Sequence, residues 1–356
     1  MSATAFAPLP VATARAEFAG GRGYLAACTV GLPTRASRDA MIADLDASAH
    51  GRPDPVAYSS AVERSRAHFA ALVGVAADRV AIGSQASVAA ALVAASLPEG
   101  AEVLIAEGDF SSIVLPFVHS GRGLRVRTAP LDRLAEAVRP GTALVVFSLV
   151  QSATGEVADA EALLEAAAAH DARTLCDATQ AVGWLPVAAS RFDAVICHAY
   201  KWLCAPRGVS FLTVSARLAA DMPALFAGWY AGSDPWSSCY GGEVVLAPDA
   251  TRFDASPAWQ AFVGAEPALA LFAAIDPSAL HGHATALARR FRERTGLPTP
   301  DRESAIVTWD DPEGGDLARL TAAGLIASGR AGRARVAFHL FNDENDVDLA
   351  LGALGR

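Results

Sequence analysis

Apolar residues in the first two thirds of this chain fall into short runs separated by longer stretches of helical texture. RVAI ending at 82, VLIAE (103–107), LRVRTA (124–129), ALVVFSLV (143–150), RTLCDAT (173–179), AVICHA (194–199) and VSFLTVS (209–215) have the length of strands. Several are apolar at consecutive rather than alternate positions, as expected of a parallel sheet covered on both faces. Between them, SQASVAAALVAASL (84–97) and DAEALLEAAAAH (159–170) have the length and alanine content of helices. The pattern predicts a doubly wound α/β fold built on a mainly parallel sheet. Near residue 225 the texture changes to GWYAGSDPWSSCYGG (228–242), a loop longer than a simple connector. Helices at 264–275 and 278–295, a short strand near 334–340 and a last helix from 344 then predict a smaller C-terminal α+β domain. The expected division is an N-terminal segment over 1–20, a large domain over 21–225 and a small domain over 226–356. No internal repeat is visible.

Composition narrows the class. A chain of 356 residues, 52% hydrophobic and 19% charged, buries a large core. The net charge of -9, with no basic run and no zinc-finger spacing, argues against nucleic acid as a partner. The stretch MSATAFAPLPVATARAEF contains prolines and charges and no continuous apolar segment, so neither a signal peptide nor a membrane span is expected, and a cytoplasmic location is. Five cysteines, at 28, 176, 197, 204 and 239, form no CxxC pair. They predict reduced thiols, with neither a disulfide framework nor a structural metal.

One residue type is conspicuous by scarcity. Of 29 Lys+Arg, a single one, Lys201 in AYKWL, is lysine, and the other 28 are arginine. Arginine keeps its proton at physiological pH, whereas a desolvated lysine amine loses it and becomes a nucleophile. Lys201 follows AVICHA closely, and in an open parallel sheet the ligand crevice lies at the carboxyl ends of the strands. Two other groups share that edge. GSQAS (83–87) follows RVAI and opens a helix, whose free N–H groups favour anions. Asp177 ends RTLCDAT, with Gln180 one turn on. Taken singly, the first is a helix cap, the second a capping carboxylate and the lysine a paired structural cation. Together they offer an anion cradle, a carboxylate and an activatable amine. Pyridoxal phosphate needs that combination: a lysine for its Schiff base, a carboxylate for its ring nitrogen and donors for its phosphate. Neither a Walker A loop nor a GxGxxG fingerprint is present.

LCDATQAVGWLPV followed by HAYKWLCAPRG resembles the class V branch of the fold-type I pyridoxal-phosphate enzymes, a family of cysteine desulfurases, selenocysteine lyases, kynureninases and isopenicillin N epimerase-like proteins. The resemblance is nearest to the kynureninase- and epimerase-like members. It implies that Lys201 carries the cofactor and moves protons at Cα, that Asp177 pairs with the pyridine nitrogen and that Gln180 bonds the ring hydroxyl. Ser84 and Gln85 fall where the family holds the phosphate, Phe110 in GDFSS where a ring stacks on the cofactor, and Tyr200 and His198 where side chains reach the phosphate. RFDASPAW (252–259) resembles the RFxxGTP segment, with Ser256 in place of the threonine that reaches the neighbouring subunit's phosphate; a homodimer with shared sites follows. RARVAFHLFNDENDVD (333–348) resembles the terminal segment whose arginine grips the substrate carboxylate, here Arg335. Ser152 replaces an asparagine near the ring hydroxyl, and Tyr230 lies in the loop that faces substrate in kynureninase-like members. Residues 300 to 335 hold no cysteine, which argues against desulfuration through a persulfide. The implied activity is turnover of an α-amino acid through a Cα carbanion, with lyase chemistry at Cβ–S or Cβ–Cγ first, and transamination, epimerisation, decarboxylation or a non-catalytic cofactor-binding role as alternatives.

Overall fold

A computed structural model describes residues 7–356; the first six positions of the N-terminal stretch lie outside the described residues. Seven strands form the main sheet: β1 Val80–Gly83, β2 Glu102–Ala106, β3 Arg125–Ala129, β4 Thr142–Ser148, β5 Arg173–Asp177, β6 Ala194–His198 and β7 Ser210–Val214, in the order β1-β7-β6-β5-β4-β2-β3. The five strands from β3 to β6 are parallel, and β7 runs antiparallel to both β6 and β1. The consecutive apolar runs are explained by burial on both faces. Val145, Phe147, Cys176, Val195 and Cys197 pack into one core, while Leu144, Val146, Leu175, Ala194 and Ile196 pack into another on the opposite face. Successive side chains of a strand point to opposite faces, so both sets must be apolar.

The alanine-rich helices are Ala86–Ala95 and Ala160–Ala169, the second capped by Asp159, whose carboxylate accepts from Ala162 N. The helix expected from 264 begins earlier, as Trp259–Ala273, because Phe262, Ala265, Leu269 and Phe272 continue one buried face. It packs on helices Arg35–Ala49 and Pro55–Leu72. Contact there is close: a Cβ at Gly264 would lie 2.5 Å from Met41 Sδ.

A second, antiparallel sheet follows, β8 Ile306–Asp310, β9 Ser328–Arg330 and β10 Arg333–Ala337 in the order β8-β10-β9. Its core joins Phe291, Val307, Trp309, Val336, Phe338 and Leu351 with Leu25 from the start of the chain. Tyr24 and Ala26 bridge Ile326 and Ala337, so residues 24–31 leave the small sheet and run directly to the edge of the large one. The strand expected over 334–340 ends at Ala337. His339 N donates to Asn342 Oδ1 at 2.9 Å and Asn342 N returns a bond to His339 O, a local turn that competes with the ladder. Among the described residues, no single helix is long and apolar enough to cross a membrane.

Candidate active site

The carboxyl ends of β4, β5 and β6 place Ser148, Asp177 and His198 along one edge, with Ser148 opposite Asp177 in the parallel register. Asp177 is buried, and Thr179 N donates to its Oδ1 at 2.8 Å. Burial raises its pKa, while the Thr179 bonds and the positive charge of Lys201 act the other way. Thr179 also accepts from His198 N at 3.0 Å through its hydroxyl, locking the loop after β5 to the end of β6.

Lys201 lies in the loop after β6, only 5% exposed. Its Nζ is 5.3 Å from the centroid of the Phe110 ring and 5.7 Å from that of Tyr200. Burial lowers its pKa to about 8; Asp177 opposes the shift and Arg335 adds to it. No hydrogen bond to the amine contributes. Among the described residues the amine has no hydrogen-bond partner, so the site holds a buried amine that gives up its proton more readily than an ordinary lysine. The loop is clamped by the N-terminal segment: Gly31 N donates to Tyr200 O at 2.8 Å, and a Cβ at Gly31 would lie 2.0 Å from Lys201 O. Only glycine permits this approach.

Gln180 is fully engaged. Its Nε2 donates to Cys28 O at 2.9 Å and to Ser152 Oγ at 3.0 Å, and its Oε1 accepts from Trp202 Nε1 at 2.8 Å. Ser152 connects it to Arg335, whose Nη1 donates to both the carbonyl and the hydroxyl of Ser152. Arg335 Nη2 donates to Thr29 Oγ1 at 2.9 Å and Nε to Ser328 Oγ at 3.1 Å. This guanidinium is 1% exposed, and every one of these acceptors is a neutral oxygen. A buried cation is ordinarily paired with a carboxylate, and among the described residues Arg335 has none.

Phe110 is 46% exposed, with its ring directed at the lysine. Ser84 and Gln85 open helix Ala86–Ala95, and Gln85 at its N-cap makes no side-chain capping bond. Ser256 is exposed and accepts from Trp229 Nε1 at 3.1 Å. Tyr230 is not brought to this cluster: it is buried, and its hydroxyl donates to Glu63 Oε1 at 2.9 Å. Asp109, which sequence reasoning passed over, belongs to the site. Its carboxylate accepts from Phe110 N at 2.8 Å and from Ser148 N at 2.7 Å. Burial lifts it to about 6, with the Asp177 charge adding to the shift. The signal was present, a carboxylate shortly beyond the carboxyl end of β2, the same rule that selected Asp177.

An unpartnered buried amine, a buried carboxylate at the next strand end and an orphaned buried imidazole nitrogen on His198 fit pyridoxal phosphate. Fold and site together define a fold-type I pyridoxal-phosphate enzyme. The comparisons agree: the model of the family "Aminotransferase class-V" matches residues 54–296, and the chain belongs to that family. It is 33% identical to an isopenicillin N epimerase of Amycolatopsis lactamdurans over 42% of each chain, so that match spans about two fifths of the relative's length. It is 28% identical to a kynureninase of Deinococcus radiodurans, covering 64% of this chain and 58% of that one. A solved structure of C-DES with glycine covalently linked to its PLP cofactor superposes with a TM-score of 0.84 at 19% identity, covering 96% of this chain and 98% of that one. At that identity the likeness is one of fold.

Proposed function

We propose that this enzyme acts on an α-amino acid, drawing the Cα proton to Lys201 and cleaving a Cβ–S or Cβ–Cγ bond. The observation that carries the reading is Arg335, a buried guanidinium that, among the described residues, bonds to neutral oxygens only. Burying a charge without a counter-ion is costly, and a substrate carboxylate, able to meet the planar fork with two oxygens, removes that cost on binding. Lys201 would hold the cofactor's aldehyde carbon, Asp177 its ring nitrogen, and Ser84, Gln85, His198 and Tyr200 its phosphate, with Phe110 against the ring. Gln180 would meet the ring hydroxyl by exchanging its bond to Ser152. Pyridoxal phosphate, when bound, supplies the electron sink that makes the Cα proton acidic. Lys201, once the substrate amine has displaced it from the aldehyde carbon, would be the base that takes this proton.

One base suffices for lyase chemistry, since the proton taken from Cα can be returned to the leaving group. The kynureninase relative supports this reading. Epimerisation is the second reading, favoured by the epimerase relatives. It needs a proton donor on the opposite face of Cα; transamination shares the same scaffold. Ser256 and the exposed Trp236, Tyr240 and Val245 suit a homodimer interface. The test incubates the enzyme with an S-substituted cysteine, cysteine and kynurenine in deuterated buffer. Released thiol with pyruvate, or alanine from kynurenine, supports the lyase. Deuterated substrate of inverted configuration and no cleavage would replace it with the epimerase.

A further inference from the structure

One cation beside the site has no partner in the arrangement described so far. Arg207 lies in the turn between the Lys201 loop and β7, with its guanidinium carbon 4.4 Å from the centroid of the Tyr200 ring. Among the described residues it forms no ion pair, unlike Arg191 and Arg217 on either side of it in sequence. The same ring packs edge-on against His198, centroids 4.4 Å apart. His198 is 5% exposed, and its Nε2 is buried with no hydrogen-bond partner. Its pKa is pushed down to about 4, by burial first and by the charge of Arg207 next. The imidazole is neutral at neutral pH, with one nitrogen available.

Strand register brings further donors to the same place. Ser210 of β7 stands opposite both Gly83 of β1 and His198 of β6. The GSQAS turn and the first N–H groups of helix Ala86–Ala95 therefore open at the level of His198. A helix N-terminus attracts anions, and an unpaired buried imidazole nitrogen beside it signals a ligand that completes its hydrogen bonding.

We propose that Arg207 is the cation of the cofactor's phosphate site, held on the Tyr200 ring next to His198, and that it selects the phosphorylated form of the cofactor. The inference rests on the pyridoxal-phosphate reading of the site. A phosphate monoester carries nearly two negative charges at neutral pH, while hydroxyls, N–H groups and a neutral imidazole carry no formal charge. Lys201 is committed to the other end of the cofactor, which leaves Arg207 as the compensating charge. Stacking on an aromatic face fixes a guanidinium plane and leaves its N–H edge free for oxygen. An exposed cation also makes the interaction sensitive to salt.

The experiment measures binding of pyridoxal phosphate and of pyridoxal, which lacks the phosphate, to apo-protein by absorbance. Wild type, Arg207→Gln and Arg207→Lys are compared at low and high salt. Loss of a charge-assisted contact is worth about tenfold or more in affinity. Arg207→Gln should therefore weaken pyridoxal phosphate by that factor, leave pyridoxal unchanged and flatten the salt dependence, with part of the loss recovered in Arg207→Lys. If the ratio of the two affinities in Arg207→Gln equals that of wild type, whether both fall or neither does, Arg207 has no phosphate role and the cofactor reading still stands. A wild-type protein that binds neither compound overturns both.

Discussion

Lys201 is buried with no hydrogen-bond or ion-pair partner among the described residues, and burial favours the uncharged form of an amine. With its pKa at about 8 instead of 10.5, roughly a tenth of the amine is neutral at pH 7, against less than a thousandth for an ordinary lysine. Cofactor uptake by the apo-enzyme should accelerate about tenfold as pH rises from 7 to 9 and then level off; stopped-flow absorbance checks this, and a midpoint near 10 would contradict it. Lys201→Arg should abolish the cofactor's absorption shift at every pH, because guanidinium does not lose its proton. Arg335 has the opposite requirement, a permanent charge waiting for a carboxylate. Arg335→Gln should raise KM for amino acids by about tenfold or more while leaving cofactor absorbance intact. An unchanged KM would remove Arg335 from the substrate site. Lys201, Asp177 and Gln180 were legible as residues because they sit in a compact stretch with known chemistry. Asp109 could have been found by the strand-end rule that selected Asp177, although its bond to Ser148 spans 39 positions; Thr29 could not, since its importance lies in a bond to Arg335 that spans 306.

At the scale of elements, the site is a set of loops held at the carboxyl edge of the sheet. Residues 24–31 carry most of the constraint: Cys28 O accepts from Gln180, Thr29 accepts from Arg335, and Gly31 lies against Lys201. Gly31→Ala would place a methyl group 2.0 Å from Lys201 O and 2.9 Å from Cys204 Cα. It is expected to cost about 3 kcal/mol by overpacking and to reduce cofactor binding, both readable from urea titration with and without pyridoxal phosphate. A variant as stable as wild type would show that the loop moves freely. Strand and helix types were legible from runs and alanine content. The reversed direction of β7 was not, because an antiparallel strand buried on both faces has the same apolar run as a parallel one.

In the whole molecule, distant segments are joined through buried polar bonds. Arg66 on helix Pro55–Leu72 donates to Asp254 Oδ2 at 2.6 Å and to Val80 O at 2.6 Å, and Ile82 N donates to Asp254 Oδ1 at 2.7 Å. Helix, sheet edge and the RFDASP segment thus share one ion pair, in which Asp254 keeps Arg66 firmly protonated. Asp254→Ala should destabilise by about 3 kcal/mol, the lower end for stranding a buried charge, since Glu63 remains bonded to Arg66 at 2.9 Å. Denaturant midpoints measure it, and a loss below about 1 kcal/mol would show the pair to be dispensable. The sequence by itself determined the sheet's apolar strands, the scarcity that isolates Lys201 and the motif around it, because these depend on residue type and near spacing. Tertiary structure decided that Arg335 is buried without a counter-ion, that Tyr230 turns to Glu63, and that Arg207 rests on Tyr200. Burial and long-range pairing belong to the packed chain, and no short window of sequence contains both partners of such a contact.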